Sequence, residues 1–391
     1  MNRNTIIMLC PDRLYKSSGG LGVQAKHIYD LLKDEYDFIF IGHPDEIAQK
    51  EIPNYFGVYN DFINIQDGYL STILGQSTYM YYAFDVLRKT GINENTKNVI
   101  VHAMDTTIYP FGVYLSKYLN AKLLVTLNLS YNILHSRDEN GNAKDKIGYT
   151  EFVYNEMENF GIINSNAIIH VSKKYKEMYD TGFSYPLDKS YYVPNPIDTI
   201  LFENINNDKD NTKIGYIGRL TRSKGVANII TSIKNNLYFY EGFPKIDIVG
   251  SSYGSENDIY ESIRKAHDAN ILNYVGPLYD NDKINWLKSL GAILIPSITE
   301  PFGIVALEAL LCGAIPITTA VDGLKDILDS DTAIIIGNTY DEIKYGIERY
   351  FALSDDRKIK MRENALKLIK EKYTLDVFHN NMKNIYDKMF I

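Results

Sequence analysis

The sequence contains little cysteine and tryptophan: its 391 residues include two cysteines and one tryptophan. Cys10 and Cys312 both lie in apolar runs, which favours two small buried side chains over a disulfide. A chain without a disulfide framework is typical of a reducing compartment, so we expect a cytoplasmic protein.

Long apolar runs are missing as well. The first apolar stretch, from Thr5 to Cys10, is shorter than the core of a signal peptide. No stretch approaches the roughly 18 uninterrupted apolar residues that mark a transmembrane helix. The sequence therefore predicts neither a secretory leader nor a transmembrane segment.

The charge balance is acidic, with 41 Lys and Arg against 49 Asp and Glu and a net charge of −8. Because a non-specific nucleic-acid binder needs a cationic surface, we expect no nucleic-acid partner. With 45% hydrophobic and 23% charged residues, the composition is that of a globular protein. At about 150 residues per domain, the length predicts two or three domains.

Short runs rich in Ile and Val recur along the whole chain. Their hydrophobicity is continuous rather than alternating, which indicates strands buried on both faces of a parallel sheet. Helical patterns lie between them, such as Leu21, Ala25 and Ile28. The sequence thus predicts an α/β fold. The predicted strands are residues 6–9, 38–41, 99–101, 123–127, 167–171, 214–217, 246–249, 292–295, 315–318 and 333–336.

A polar segment, residues 203–212, separates the first five predicted strands from the last five. It follows Pro194 and Pro196, which end any regular element. We therefore expect one Rossmann-like domain over residues 1–200 and a second over residues 201–374. The two domains are expected to face each other across a cleft at the carboxyl ends of both sheets, where ligands bind in such folds.

Residues 296–316 predict a turn followed by a helix that begins at about Gly303 or Ile304. The N–H groups of Gly303, Ile304 and Val305 would lack intrahelical partners, and such a helix end suits a phosphate.

Two glutamates flank this helix end. Glu300 lies in the turn, where its carboxylate could accept hydrogen bonds from sugar hydroxyls. Glu308 lies one turn into the helix on nearly the same face as Ile304 and could accept from a ribose diol. The more ordinary interpretation is an acidic residue near a helix dipole and an exposed Glu308.

A second segment, residues 214–225, predicts a strand and a loop that carries Arg219 and Lys224. A guanidinium binds phosphate oxygens through two N–H groups, and a lysine adds a point charge. Together they could neutralise a departing diphosphate without a metal. Such residues in a loop are more often simply solvated.

Gly20 and Gly22 precede a predicted helix, and glycines there let the backbone approach a phosphate closely. Residues 20–25 also match the dinucleotide pattern G-x-G-x-x-A. Dinucleotide binding is disfavoured because the glycines lie about ten residues beyond the first strand. The second strand, moreover, is followed by Gly42 and His43 rather than by an acidic residue.

Metal ligands are not evident. Asp280 and Asp282 fit a D-x-D motif, but they open a helical pattern in which aspartate is a common N-cap. The seven histidines show no metal-ligand spacing. We expect no metal and no other cofactor.

The segments around Glu300 and Arg219 resemble the retaining GT-B-fold glycosyltransferases, in particular the glycogen/starch-synthase-like and family-four branches. The resemblance implies a GT-B fold and a last helix, within residues 375–391, that returns to the N-terminal domain. It covers nearly the whole chain, through KSSGGLG (16–22), VHAMD (101–105), HVSKKY (170–175), VPNPID (193–198), IGRLTRSKG (217–225) and EPFGIVALEALLCGAIPITTAVDGLKDIL (300–328).

The resemblance implies two sets of site residues, one for catalysis and one for holding the nucleotide sugar. The catalytic set is Arg219, Lys224, Glu300, Asp105 and Asn128. The nucleotide-sugar-binding set is Lys16, Gly20, Gly22, Gly303, Ile304, Val305 and Glu308.

The implied activity is metal-independent, retaining transfer of a hexose, expected to be glucose, from a UDP-, ADP- or GDP-sugar to a glycan or small sugar. Asn128 stands where the family commonly has a histidine, and Pro196 and Asp322 replace usual glycines. These departures leave other acceptors and activities open. One alternative is a lipid or cell-surface glycan acceptor, with peripheral membrane contact. Another is a nucleotide-sugar epimerase, a hydrolase or a nucleotide-binding protein.

Overall fold

The computed structural model describes residues 3–15, 20–58, 68–136, 144, 146–182, 187–202, 210–236, 245–252 and 256–391. These residues form two compact units. The first unit contains the described residues up to 196 and the C-terminal segment 375–391, and the second contains those from 197 to 374.

The first unit is built on a seven-stranded sheet in which every pairing is parallel, with the order β3-β2-β1-β4-β5-β6-β7. Its strands are β1 (Thr5–Cys10), β2 (Asp37–Gly42), β3 (Tyr55–Gly57), β4 (Val99–Ala103), β5 (Lys122–Leu127), β6 (Ala167–His170) and β7 (Ser190–Tyr192). Its first helices are α1 (Gly20–Leu32), α2 (Glu46–Glu51), α3 (Gly68–Thr90), α4 (Tyr109–Tyr118), α5 (Tyr131–His135), α6 (Tyr149–Asn164) and α7 (Lys173–Gly182).

The second unit has a six-stranded parallel sheet with the order β10-β9-β8-β11-β12-β13. Its strands are β8 (Asp210–Ile217), β9 (Asp247–Val249), β10 (Asn273–Gly276), β11 (Leu290–Ile295), β12 (Ile315–Thr318) and β13 (Ile334–Ile335). Its described helices are α8 (Val226–Asn235), α9 (Asn257–Asp268), α10 (Asp280–Ser289), α11 (Ile304–Leu311), α12 (Leu324–Ile327), α13 (Tyr340–Ala352) and α14 (Asp355–Lys372).

The central strands are apolar on both faces because each sheet is covered by helices on both sides. In β1, Ile7 and Leu9 enter one core of the first unit, whereas Ile6 and Met8 enter the core on the opposite face. The two parallel sheets confirm the predicted α/β fold. The apolar runs do not predict β3, β7 and β10, which are all short strands at sheet edges.

A C-terminal helix, α15 (Leu375–Phe390), belongs to the first unit and packs against α1. Tyr386 of α15 is fully buried, and its hydroxyl lies 2.8 Å from Nδ1 of His102 on β4. Lys383 and His379 of α15 contact the carboxylate of Glu35. The first unit is therefore completed by residues that follow the second unit in the chain.

Each sheet reverses its strand order once, between β1 and β4 in the first unit and between β8 and β11 in the second. At such a switch point the loops after the two strands diverge, which leaves an opening at the carboxyl edge where ligands bind in open α/β sheets. The loops after β4 and β8 carry Asp105 and Arg219, and the loop after β11 carries Glu300. No described helix combines the length and the apolar character that crossing a membrane requires.

Candidate functional site

In the second unit, a glycine brings the loops after β8 and β11 together. Gly225 has a φ of 73°, and a Cβ at this position would lie 1.8 Å from the carbonyl oxygen of Pro296. Only a glycine tolerates both the left-handed backbone and this close approach. The N–H of Ile298 donates to the carbonyl of Ser223 at 2.9 Å, which joins the two loops directly.

This approach places two of the sequence-predicted residues in contact. Lys224 Nζ lies 2.6 Å from Oε2 of Glu300, and their side chains are 19% and 17% exposed. Arg219 is exposed, and among the described residues none forms a hydrogen bond with its guanidinium. The switch point therefore presents one free and one paired cation beside a carboxylate.

A buried aspartate holds the backbone of Glu300. Oδ2 of Asp322 accepts from Thr299 Oγ1 at 2.8 Å and from the N–H of Glu300 at 3.2 Å. Asp322 has a φ of 46°, which is unfavourable for a residue with a side chain. A local strain of this kind persists where surrounding contacts compensate for it, and here the two hydrogen bonds to the Glu300 loop do so. The sequence shows Asp322 only as a departure from a usual glycine.

The helix after Glu300 begins where the sequence predicts it. Gly303 is the N-cap, with a φ of 102°, and α11 starts at Ile304. The N–H groups of Ile304 and Val305 lack intrahelical acceptors, as at every helix start, and no described side chain caps this end. The positive end of the helix dipole thus lies directly after the Glu300 turn.

One turn into α11, Oε1 of Glu308 lies 2.6 Å from Nζ of Lys283, which comes from the first turn of α10. Lys283 is not among the residues predicted for the site. A cation in the first turn of a helix opposes the dipole, and this departure from the usual charge pattern is the signal that could have found it.

The prediction that Asp280 caps α10 is wrong. The N-cap is Tyr279, and Asp280 is the first helical residue with a φ of 45°. Asp280 and Asp282 both lie in the first turn, where a carboxylate is stabilised by the helix dipole without acting as a cap. Within the described ranges, no group of three or more His, Cys, Asp or Glu could hold a metal ion.

In the first unit, Asp105 follows β4 and caps a 3₁₀ turn, Thr106–Ile108, by accepting from the N–H of Thr107 at 2.9 Å. Burial raises the pKa of Asp105, and the nearby charge of Asp12 raises it further. Asp12 follows β1, on the other side of the switch point, and is not among the residues predicted for the site. Its position three residues after the predicted strand 6–9 was the available signal.

The start of α1 is occupied by this same carboxylate, because Oδ2 of Asp12 accepts from the N–H of Gly22 at 3.3 Å. Gly20 is exposed at the first position of α1, and Gly22 is buried. Lys16 lies outside the described residues. The helix end predicted to approach a phosphate is thus partly capped from within the chain.

Asn128 follows β5 and is half-buried. Its Nδ2 donates to Oε1 of Gln24 at 3.0 Å and to the carbonyl of Met104 at 3.2 Å. Gln24 lies on the buried face of α1, and nothing in the sequence pattern distinguishes it from a solvated helix residue.

The loop that continues from Asn128 is held by a buried carboxylate, Glu158 of α6. Glu158 accepts from Ser130 Oγ at 2.9 Å, from the N–H of Tyr131 at 2.6 Å and from Asn132 Nδ2 at 2.7 Å. Burial raises the pKa of Glu158, although these donors act in the opposite direction. Glu158 is not among the residues predicted for the site, and the signal for it in the sequence is a carboxylate within the apolar face of α6.

Comparison with known proteins finds a family model that matches the second unit. Residues 198–368 match the model of the family Glycosyl transferases group 1. An uncharacterized glycosyltransferase of Methanocaldococcus jannaschii is 26% identical over 390 residues, covering 94% of each chain. A glycogen synthase of Mycoplasma mobile is also 26% identical, over 78% of this chain and 71% of that one.

Solved structures share the fold over nearly the whole chain. Sucrose-phosphate synthase from Thermosynechococcus elongatus superposes with a TM-score of 0.77 at 17% identity, covering 99% of both chains. HepE from Anabaena, in complex with UDP and glucose, superposes with a TM-score of 0.74 at 14% identity, covering 99% of this chain and 100% of HepE. The catalytic domain of starch synthase IV from Arabidopsis thaliana, bound to ADP and acarbose, gives 0.71 at 15% identity, covering both chains entirely. The chain therefore has the GT-B fold.

Proposed function

Because residues 198–368 form a group 1 glycosyltransferase domain, we propose that the protein transfers a hexose, glucose in the first instance, from a nucleoside-diphosphate sugar to a glycan or small-sugar hydroxyl with retention of configuration. The observation that carries the proposal is the contact between Lys224 and Glu300 at the switch point of the second sheet, directly before the uncapped end of α11. This arrangement provides cations and N–H groups for a diphosphate and a carboxylate for sugar hydroxyls.

The proposed roles follow from charge and position. Arg219 and Lys224 bind the diphosphate, and the N–H groups of Ile304 and Val305 contact its oxygens. Glu308 accepts hydrogen bonds from the ribose. Each preorganised donor of this kind contributes about 2.7–4 kcal/mol to stabilising charge in comparable transition states. In the first unit, Asp105 and Asn128 are proposed to recognise the transferred sugar and the acceptor.

In the proposed reaction, the acceptor hydroxyl oxygen attacks the anomeric carbon from the face that the diphosphate leaves. The carbon–oxygen bond to the diphosphate breaks and its electron pair stays on the phosphate. The proton of the acceptor hydroxyl passes to a phosphate oxygen, so no protein carboxylate has to act as a covalent nucleophile. The cations that bind the diphosphate stabilise the charge as it develops, without a metal.

Donor and acceptor chemistry is proposed from the relatives, since two structures similar to this chain contain UDP and glucose in one case and ADP and acarbose in the other. The relative named glycogen synthase supports a glucan acceptor. The described cysteines are buried and free, which is compatible with a reducing compartment such as the cytoplasm.

A lipid-linked acceptor is the second candidate. It is supported by exposed aromatic side chains on α3 and α4 of the first unit, where Tyr81, Phe84 and Tyr118 are all exposed. Phe84 and Tyr118 also contact each other, with ring centroids 5.2 Å apart. Aromatic rings of this kind suit the boundary between water and lipid.

The test is release of nucleoside diphosphate from UDP-, ADP- and GDP-sugars, each with no acceptor, with glucan, with simple sugars and with lipid vesicles. Release that needs one donor together with glucan or a simple sugar supports the proposal, and NMR of the product then reads the anomeric configuration. Release that needs vesicles favours the lipid acceptor. Release without any acceptor contradicts transfer and favours a hydrolase or epimerase, and binding without release favours a nucleotide-binding protein.

A further inference from the structure

Three amide side chains form a buried hydrogen-bonded series in the first unit. Nδ2 of Asn128 donates to Oε1 of Gln24 at 3.0 Å, and Nε2 of Gln24 donates to Oδ1 of Asn195 at 2.6 Å. Gln24 and Asn195 are only 3% and 6% exposed. The series joins the loop after β5, helix α1 and the segment that precedes Pro196, across 104 and 171 positions of the sequence.

A backbone carbonyl fixes the direction of every bond in this series. The carbonyl of Met104 can only accept, so the Asn128 atom 3.2 Å from it must be the amide nitrogen. The Gln24 atom that faces the same nitrogen must then be the oxygen, which leaves the Gln24 nitrogen to donate to Asn195. Reversing any one amide would break at least one bond.

Both hydrogens of Asn128 Nδ2 are therefore used within the protein, and its Oδ1 is left as an acceptor. Among the residues that the structure describes, none donates to this oxygen, and the side chain is half-buried at the carboxyl edge of the sheet. β5 is the neighbour of β4, which is followed by Asp105. The Asn128 oxygen thus lies at the edge where ligands bind in this fold.

We propose that Gln24 is a positioning residue, which holds the Asn128 amide so that its Oδ1 accepts a hydrogen bond from a hydroxyl of the transferred sugar. This inference rests on the proposed function. It differs from the general assignment of Asn128 in two ways: it fixes Asn128 as an acceptor rather than a donor, and it makes a buried helix residue one of the two acceptors that hold the amide in that orientation. Without Gln24, the Met104 carbonyl is the one described acceptor left for Asn128 Nδ2, and the amide is held less firmly with its Oδ1 toward the hydroxyl.

The test is a double-mutant cycle with Gln24→Leu, Asn128→Ala and the combined variant, measured as kcat/KM for the preferred hexose donor. Gln24→Leu is expected to lower kcat/KM by about 10-fold to 100-fold, as does loss of one hydrogen bond to a substrate. In the Asn128→Ala background, the same change should cost less than about 2-fold. A purely structural role for Gln24 would give equal losses in both backgrounds and overturns the inference.

Deoxy-hexose donors provide the second readout. The wild-type chain should discriminate against the donor that lacks the recognised hydroxyl, and Gln24→Leu should lose that discrimination while its affinity for free nucleoside diphosphate is unchanged. Gln24→Met keeps the length of the side chain without its amide and without a buried charge, and it should show the same loss, which gives a second variant should Gln24→Leu fold poorly. Gln49→Leu makes the same change at an exposed position of α2 and is the matched control.

The outcomes separate this inference from the proposed function. Wild-type turnover together with wild-type kcat/KM in folded Gln24→Leu overturns the role of Gln24 alone. A wild-type chain that binds none of the nucleotide sugars overturns the proposed function and, with it, this inference.

Discussion

The ammonium group of Lys224, in the loop after β8, lies 2.6 Å from the carboxylate of Glu300, in the loop after β11. The pair is mostly buried, so each charge stabilises the other in the absence of substrate. A bound diphosphate would compete for Lys224 and release a carboxylate oxygen of Glu300 for sugar hydroxyls. With the proposed roles of these two residues, the pair would couple diphosphate binding to sugar recognition within one unit.

Replacing Lys224 with alanine should lower kcat by about 100-fold to 1,000-fold, because a cation that stabilises the leaving diphosphate is removed. Lys89→Ala is the control, since Lys89 is exposed on α3 and its ion-pair partner within the described part of the chain is Asp85. Steady-state rates of nucleoside diphosphate release measure the effect, with circular dichroism to verify folding. Turnover within about 2-fold of wild type in a folded Lys224→Ala variant would contradict the proposed site.

Asp322 should matter more for turnover than for folding. Asp322→Gly relieves the strained backbone at a φ of 46° but removes the acceptor for Thr299 and the Glu300 N–H, and these effects partly offset in stability. We expect Tm to change by only a few degrees while kcat falls about 10-fold. Asp322→Asn retains an acceptor oxygen and should recover most of that loss. If both variants turn over like wild type, the contact does not position Glu300.

A chelator should leave the initial rate unchanged, because the proposed site neutralises the diphosphate with Arg219, Lys224 and N–H groups. The measurement is donor turnover after dialysis against EDTA, and again after Mg²⁺ or Mn²⁺ is restored. A rate that collapses on dialysis and returns with the cation would reopen the D-x-D interpretation of Asp280 and Asp282.

Stability should fall as the pH drops below about 6.5, because burial lowers the pKa of His102 to about 3 and that of His170 to about 4. A histidine whose pKa is lowered on folding binds more protons in the unfolded state. Acid therefore favours unfolding at pH values between the pKa of that histidine in the folded protein and its pKa of about 6.5 in the unfolded chain. For His102 alone the loss reaches roughly 2 kcal/mol at pH 5, at about 1.4 kcal/mol per pH unit.

Denaturant unfolding at pH 7.5 and pH 5 measures this loss. His102→Gln can still bond to Tyr386 and Thr126 but does not titrate, so its stability should depend less on pH than that of wild type. Identical pH dependence in the two proteins would show that His102 is not the group responsible.

The sequence pattern predicts those elements that are determined by residues close together in the chain. Continuous apolar runs predict the central strands, and the glycine after the Glu300 turn predicts the start of α11 at Ile304. The pattern is silent on β3 and β7, since edge strands are buried less and need no long apolar run.

The residues of the candidate site also fall into two groups, those that the sequence predicts and those that only the fold shows. Lys224 and Glu300 are visible because they lie in recognisable loops, whereas Gln24, Glu158 and Lys283 act through partners 25 to 171 positions away. A buried polar group is identified by its tertiary partners, and one sequence without its fold does not name them. Asp280 shows the converse error, because a residue type common at N-caps was assigned that role where the backbone is left-handed.

The return of α15 to the first unit also sets the order in which the protein can fold. Residues 197–374 are contiguous, and their two ends meet where the N–H of Ile197 donates to the carbonyl of Tyr373 at 2.8 Å. The first unit must wait for Phe378, Met382 and Tyr386, which fill one of its two cores. During synthesis, the second unit can therefore complete its fold before the first unit, although most of the first unit is synthesised earlier.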